Sequence, residues 1–284
     1  MKFKIFGWRN PQLDQISRIE QGLISLGHQL DNNNPDVIYS NNDVYDDILN
    51  FASQQISKPL IILNVLDLQV NNPKYDLEKV KNQLTQANII TCISNTVKDQ
   101  IYDTLNLKAH VIYNPVKDIK YDNNIQKTIP FLYVGRANDY RKRFSLIKDT
   151  FINFPEIQNT LVTCGSENPF FGKHIGIVND QDLNYLYNTS KFLLFPSSFE
   201  GLGLPMIEAM IAGCVPITCS DNKTAIEFCP SEFICDPSPQ SYFNRLLELN
   251  DNYSKFQQIA IQYGIKYYSL MNKNQIAQNI INLC

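Results

Sequence analysis

Two carboxylates, Glu200 and Glu208, stand with seven residues between them in the segment Phe195-Pro-Ser-Ser-Phe-Glu-Gly-Leu-Gly-Leu-Pro-Met-Ile-Glu-Ala-Met-Ile-Ala-Gly213. Ionised carboxylates only accept hydrogen bonds, so each suits the hydroxyl groups of a ligand. Between them, Gly201, Leu202, Gly203 and Leu204 make a loop whose glycines let the backbone approach that ligand closely. The first N–H groups of a following helix would add the positive end of its dipole, which suits a phosphate. Phosphate with hydroxyls on either side describes a sugar nucleotide. The competing reading of the same residues is a strand, a glycine turn and a core helix whose glutamates make local salt bridges.

A second constellation lies upstream. The apolar run Ile129–Val134 ends in Gly135-Arg136, and Arg141-Lys142-Arg143 follows. A guanidinium at a strand's carboxyl end, with an ammonium on the next loop, makes a clamp for a diphosphate. The plainer alternative is a solvated basic face at a helix start.

Positioning these groups takes strands and helices in alternation. Lys191–Phe195 is short and apolar and stops at Pro196, so it reads as a buried parallel strand. Pro205 marks the first turn of the next helix and Gly213 the position past its end. That helix is apolar on nearly every face, so it should be buried, with Glu208 as its only charge. A lone carboxylate there is costly unless something binds it.

Upstream, strands are expected at Phe3–Trp8, Asp36–Ser40, Pro59–Leu66, Ile89–Ser94 and Ala109–Tyr113. The intervening helices are expected at Gln12–Leu26, Tyr45–Ile56, Leu77–Gln86 and Thr96–Leu105. A polar linker is expected over Val116–Thr128. The alternation then restarts with strands Ile129–Val134, Thr160–Cys164, Ile175–Val178 and Val215–Cys219, and helices Phe144–Phe151 and Asp180–Asn188. Asn252–Cys284 is helical in pattern. Such alternation predicts two doubly wound α/β units with a cleft at the carboxyl ends of their strands.

Composition sets outer bounds. The chain has 284 residues, 44% hydrophobic and 19% charged, which describes a globular protein with ample core. A formal net charge of −3 gives no global attraction to nucleic acid or anionic lipid. No apolar run is long enough to span a bilayer, and the stretch Met1–Gly7 is too short for a secretory signal, so a cytoplasmic location is expected. Seven cysteines without a Cys-x-x-Cys pair predict free buried thiols in a reducing compartment. Three histidines far apart argue against a metal site, so no cofactor is expected.

From Gly27-His28 to about Pro237 the chain resembles the retaining glycosyltransferases of family 4. Gly27-His28 is similar to the family's Gly-His after its first helix, and Asn114-Pro115-Val116 to its Asn-Gly-Val. Val134-Gly135-Arg136 with Lys142, then Gly176, Pro196-Ser197 and Glu200 through Glu208, resemble its remaining signatures, the two-glutamate motif being the most specific. The resemblance implies the GT-B fold, with an acceptor domain over 1–120, a nucleotide-sugar domain over 121–265, and a last helix in 266–284 returning to the first domain. It also implies roles. Arg136 and Lys142, with Gly135, contact the donor pyrophosphate, and Gly176 lies beside the nucleotide base. Glu200 holds sugar hydroxyls, the amides of Gly203 and Leu204 hold phosphate, and Glu208 holds the ribose hydroxyls.

Three positions depart from the family: Gly7-Trp8-Arg9-Asn10 offers one glycine where two are usual, Leu66 stands where a histidine is common, and Arg143 replaces a glycine. Gly7, Trp8 and Asp67 are the candidates for acceptor or sugar contact. The expected function is transfer of a hexose, with retention, from a nucleotide diphosphate sugar as co-substrate. The acceptor is expected to be a hydroxyl on a glycan, a lipid-linked molecule or a small molecule, with docking on a membrane surface left open, as are the oligomeric state and the identity of the base, UDP or GDP. Two alternatives stand beside it. One is a degenerate relative that binds a nucleotide sugar, or pairs with an active subunit, without transfer. The other is glycosylation of a modified nucleic-acid base, which the acidic balance disfavours.

Overall fold

Runs such as Val37–Ser40 and Val215–Cys219 are buried on both faces, the pattern of strands inside parallel sheets covered by helices. The computed structural model describes residues 1–7, 15–41, 45–70 and 75–284. The chain divides into two units: Met1–Pro115 with Leu270–Cys284, and Val116–Ser269.

In the first unit the order is β1 (Lys2–Phe6), α1 (Gln15–Ser25), β2 (Gln29–Leu30), β3 (Val37–Ser40), α2 (Tyr45–Ser53), β4 (Leu60–Val65), α3 (Leu77–Leu84), β5 (Ile89–Cys92), α4 (Asn95–Leu105) and β6 (His110–Val111). These strands form one parallel sheet in the order β2-β1-β3-β4-β5-β6. In the second unit come β7 (Ile129–Val134), α5 (Phe144–Phe151), α6 (Pro155–Gln158), β8 (Leu161–Cys164), β9 (Lys173–His174), α7 (Asp180–Thr189), β10 (Ser190–Leu194), α8 (Leu204–Ile211), β11 (Val215–Cys219), α9 (Lys223–Phe228), β12 (Ile234–Cys235), α10 (Pro239–Asp251) and α11 (Tyr253–Met271). Its parallel sheet runs β12-β11-β10-β7-β8-β9. The chain order reverses between β7 and β10, which pair through Phe131 and Phe192, and ligands of doubly wound sheets bind at such a point.

The last helix, α12 (Lys273–Ile281), belongs to the first unit and packs on α1. Ile276, Ala277 and Ile280 share one core cluster with Ile16, Ile19 and Leu23. A methyl added at Gly22 would lie 2.3 Å from the Lys273 carbonyl oxygen, so the two backbones touch at this glycine.

Two expectations need correction. The strand foreseen at Ile175–Val178 is instead Lys173–His174, because the chain turns at Gly176 with φ 74°. The expected linker 116–128 carries no helix or strand but is not a solvated tether. Val116, Lys117 and Ile119 are buried, and backbone N–H groups of Lys120 and Asp122 donate to the side chains of Asn184 and Asn188.

Six of the seven cysteines are free and buried, and Cys284 is free and exposed. Burial raises the thiols of Cys164 and Cys229, and pushes Cys214 up to about 12. Above pH 9 the unfolded chain has lost these protons while the folded chain keeps them, so stability falls as pH rises. Lys127, held down to about 8 by burial, acts the other way between that value and its ordinary 10.5. Lys4 and Cys235, also lowered, act with it, whereas Cys219 and Cys284, also raised, act with the other thiols, so five thiols stand against three groups. Denaturant midpoints of the reduced protein should therefore drop between pH 8 and 10, by on the order of 1 kcal/mol in stability. A constant or rising midpoint would show that these thiols titrate normally in the fold.

Candidate functional site

Gly135 and Arg136 follow β7 directly, and the loop 195–203 follows β10, so both emerge from the strands that flank the topological reversal. Side chains and backbone fix that second loop closely. Arg143 Nε donates to the Pro196 carbonyl at 2.9 Å, Asn222 Nδ2 to the Ser197 carbonyl at 3.0 Å, and Thr224 Oγ1 to the Glu200 carbonyl at 2.5 Å. The Ser198 N–H donates to the Arg141 carbonyl at 2.8 Å, which joins the loop to the turn after β7.

That joint brings two of the expected groups together. Lys142 Nζ lies 2.6 Å from Glu200 Oε1, with both side chains mostly buried. The same ammonium sits 5.9 Å above the Phe195 ring. The three cations of Arg141-Lys142-Arg143 diverge. Arg143 makes a two-pronged pair with Asp221, and Arg141 bonds Asp139 through Nε and a terminal nitrogen. Arg136 lies 2.8 Å from the same Asp139. Burial alone would raise the Asp139 carboxyl, but the hydrogen bonds from Arg141 hold it below the usual range.

Helix α8 starts at Leu204 with Gly203 as its cap at φ 74°, a conformation that suits glycine. No side chain caps it. The N–H groups of Met206 and Ile207 turn back to the Gly203 carbonyl, and Pro205 has none to give. This leaves the amides of Gly203 and Leu204 outside the helical ladder. Gly201 and Leu202 complete the loop, with Leu202 buried.

Glu208 is buried, as an all-apolar helix requires of its one charge. It accepts from the Lys117 backbone N–H at 3.3 Å and from the Tyr187 hydroxyl at 3.3 Å. Burial, then the Glu208 charge, pushes the Tyr187 hydroxyl well above its ordinary value, so it remains a donor. Gly176 lies in the turn before α7, its carbonyl accepting from Gly165 N–H at 2.9 Å.

Of the remaining expected contacts, Gly7 and Asp67 belong to the first unit, where they follow β1 and β4, and Trp8 lies outside the described residues. Several residues of the second unit were not anticipated. Among the described residues the Tyr133 hydroxyl is buried without a hydrogen-bond partner; burial raises its pKa, the charges of Glu200, Asp139 and Glu167 add to the rise, and Arg136 opposes it. Asp139, Thr224 and Asn222 hold the two loops, and Lys117 backs Glu208. Asn222, whose side chain accepts from Ala225 N–H, and Asp139, whose side chain accepts from Arg141 N–H, stand in helix-cap positions and carried a local sequence signal. Among the described residues no three His, Cys, Asp or Glu side chains cluster so as to hold a metal ion. No helix among them is long and apolar enough to cross a membrane.

Over 70% of its length the chain is 26% identical to the O-antigen chain mannosyltransferase RfbU of Salmonella typhimurium strain LT2, spanning 62% of that protein. A 54-residue stretch, 19% of this chain and 14% of the other, is 47% identical to the O-antigen chain mannosyltransferase B of Escherichia coli. Among solved structures, Anabaena HepE in complex with UDP and glucose superposes with a TM-score of 0.76 at 13% identity, covering 99% of this chain and 98% of that one. Sucrose-phosphate synthase from Thermosynechococcus elongatus gives 0.72 at 15% identity, over 96% of this chain and 77% of the other. The fold is the α/β GT-B type, built from two parallel six-stranded sheets with helices. The family model for glycosyl transferases group 1 matches residues 117–267, more than half of the chain, and it covers every candidate residue of the second unit. The chain belongs to the glycosyl transferases group 1 family.

Proposed function

We propose that this chain transfers a hexose from a nucleotide diphosphate sugar to a hydroxyl acceptor, with retention of configuration, as a family 4 enzyme of the two-glutamate type. The observation that carries the reading is the Lys142–Glu200 pair, held at 2.6 Å on the loop that leads into the glycine-capped start of α8. Breaking the glycosidic bond leaves negative charge on the donor's distal phosphate. Lys142, Arg136 and the Gly203 and Leu204 amides are preorganised positive groups that stabilise such charge. Glu200 then accepts from sugar hydroxyls and Glu208 from the ribose. The departing phosphate takes the acceptor's proton, so the reaction needs neither a separate base nor a metal. The curated relatives are O-antigen chain mannosyltransferases, which makes mannose the first hexose to test and a glycan hydroxyl the first acceptor.

Changing Glu208 to Gln keeps the shape of α8 and removes the charge. Nucleoside diphosphate affinity should fall roughly 10-fold, since a hydrogen bond to a charged group is worth about 1.5–3 kcal/mol. Calorimetry alongside a thermal melt checks this, and equal affinity in a folded variant would remove Glu208 from ribose binding. Leu66, after β4, favours the second reading, in which the nucleotide sugar is bound and not transferred. Slow release of free nucleotide from the donor alone supports transfer; none over days supports binding only.

A further inference from the structure

Cys219 ends β11 and Cys235 ends β12, and the two residues are partners in register on these neighbouring parallel strands. Neighbouring strands lie about 4.8 Å apart, within the roughly 4.4–6.8 Å between α-carbons that a disulfide spans. Both thiols are free, and their sulfurs already meet. The Cys219 thiol donates a hydrogen bond to Cys235, whose own sulfur lies 3.4 Å from the Thr218 carbonyl oxygen. Their surroundings differ. Cys219 is fully buried, whereas Cys235 lines a polar cavity of about 320 Å³ with Ser220, Asp236, Asn244 and Arg245. The hydrogen bond from Cys219 lowers the Cys235 thiol and the Arg245 charge works the same way, against burial and the Asp236 charge. The same bond, with burial, raises Cys219. One sulfur is thus activated at a cavity, and a protonated partner stands behind it.

We propose that Cys219 and Cys235 form a redox site at which hydrogen peroxide closes a reversible disulfide between β11 and β12. Cys235 attacks one peroxide oxygen, the O–O bond breaks, and the hydroxide released takes the thiol proton as water. The Cys219 sulfur then attacks the sulfur of the resulting sulfenic acid, whose S–O bond breaks. That hydroxyl leaves as a second water with the Cys219 proton, so two electrons pass from the thiols to the peroxide. Peroxide is small and polar, which suits a cavity lined by hydroxyl, amide and guanidinium groups. A disulfide needs its β-carbons roughly 3.8 Å apart, so β12 must draw closer to β11. This strand has two residues and lies at the edge of its sheet, so little holds it back.

The change reaches the donor loop through the residues that follow β11. Ser220 N–H donates to the Cys235 carbonyl at 2.8 Å, so this turn moves with β12. Next in the chain, Asp221 pairs with Arg143, and Asn222 Nδ2 donates to the Ser197 carbonyl. This consequence rests on the donor-site reading above; the thiol chemistry stands without it.

The test exposes the reduced full chain to limiting hydrogen peroxide and maps each cysteine by peptide mass. Exposure alone favours Cys284, the one exposed thiol among the seven, so it serves as the internal rival. The Cys219–Cys235 disulfide should form several-fold faster than Cys284 is oxidised, because thiolate character governs the rate. Dithiothreitol should open it again. In Cys219→Ser the sulfenic acid at Cys235 should persist and be trapped by dimedone, and in Cys235→Ser residue Cys219 should stay reduced. Donor consumption by the oxidised chain should fall several-fold and recover on reduction. Oxidation of Cys284 first, or a disulfide joining any other pair, overturns the proposal, and mapping on the unaltered chain decides this even where a variant does not fold. Unchanged donor consumption in the fully oxidised chain overturns the link to the donor loop. A reduced chain that consumes no donor counts against the transfer reading and leaves the disulfide standing.

Discussion

Replacing Lys142 by alanine should cut turnover of an accepted donor by roughly 10²-fold or more, the usual cost of losing one preorganised contact to transition-state charge. The ammonium is fixed rather than trailing in solvent: its side chain is 17% exposed, it bonds Glu200, and it lies over Phe195. Such a group costs no reorganisation when charge develops on the leaving phosphate. Neither neighbour in sequence can replace it, since Arg141 is committed to Asp139 and Arg143 to Asp221 and Pro196. Removing the lysine also leaves Glu200, 12% exposed, without this ion pair, so a thermal melt must accompany the kinetics. Turnover is read from donor consumption at saturation. An unchanged rate in a folded variant would take Lys142 out of the mechanism.

Replacing Gly22 by valine should destabilise the first unit by about 2–3 kcal/mol, at the upper end of overpacking costs. On an exposed helix, removing a mid-helix glycine usually helps, because glycine costs about 1 kcal/mol against alanine. Here the sign reverses. The first added carbon would meet the Lys273 carbonyl oxygen at 2.3 Å and the Ala277 methyl at 2.9 Å, and a backbone carbonyl cannot step aside as a flexible side chain would. Helix α12 must therefore lift from α1, opening the cluster formed by Ile16, Ile19, Leu23, Ile276 and Ile280. Circular dichroism melting reads the effect; a midpoint equal to that of the unaltered chain would mean that α12 is not docked as described.

Much of the second unit was legible from local pattern. Strand Ile129–Val134 and helix Phe144–Phe151 fall where periodicity placed them, and α8 is buried on every face as its apolar composition demands. The misses have physical causes. Gly176 allowed a strand by its neighbours' types, but its positive φ ends the extended run. Residues 116–128 looked like a solvated linker because their polar side chains mask a backbone that donates to Asn184 and Asn188. Helix α10 passed unread although Ser238 followed by Pro239 is a helix-start signal, with Ser238 Oγ accepting from Ser241 N–H. In the site, charge pattern could not say which of Arg141, Lys142 and Arg143 meets Glu200, since three adjacent cations differ only in where the turn points them. The Lys117–Asp180 contact spans 63 residues, and no spacing rule reaches that far.

The central claim is that a nucleotide diphosphate sugar binds at the carboxyl ends of β7 and β10 in the second unit, and amide hydrogen exchange with and without saturating donor tests it most directly. Protection is expected in peptides covering Gly135–Lys142, Gly176–Asp180 and Gly201–Ile207. Protection confined to other peptides, with these three unchanged while the donor is demonstrably bound, would contradict it.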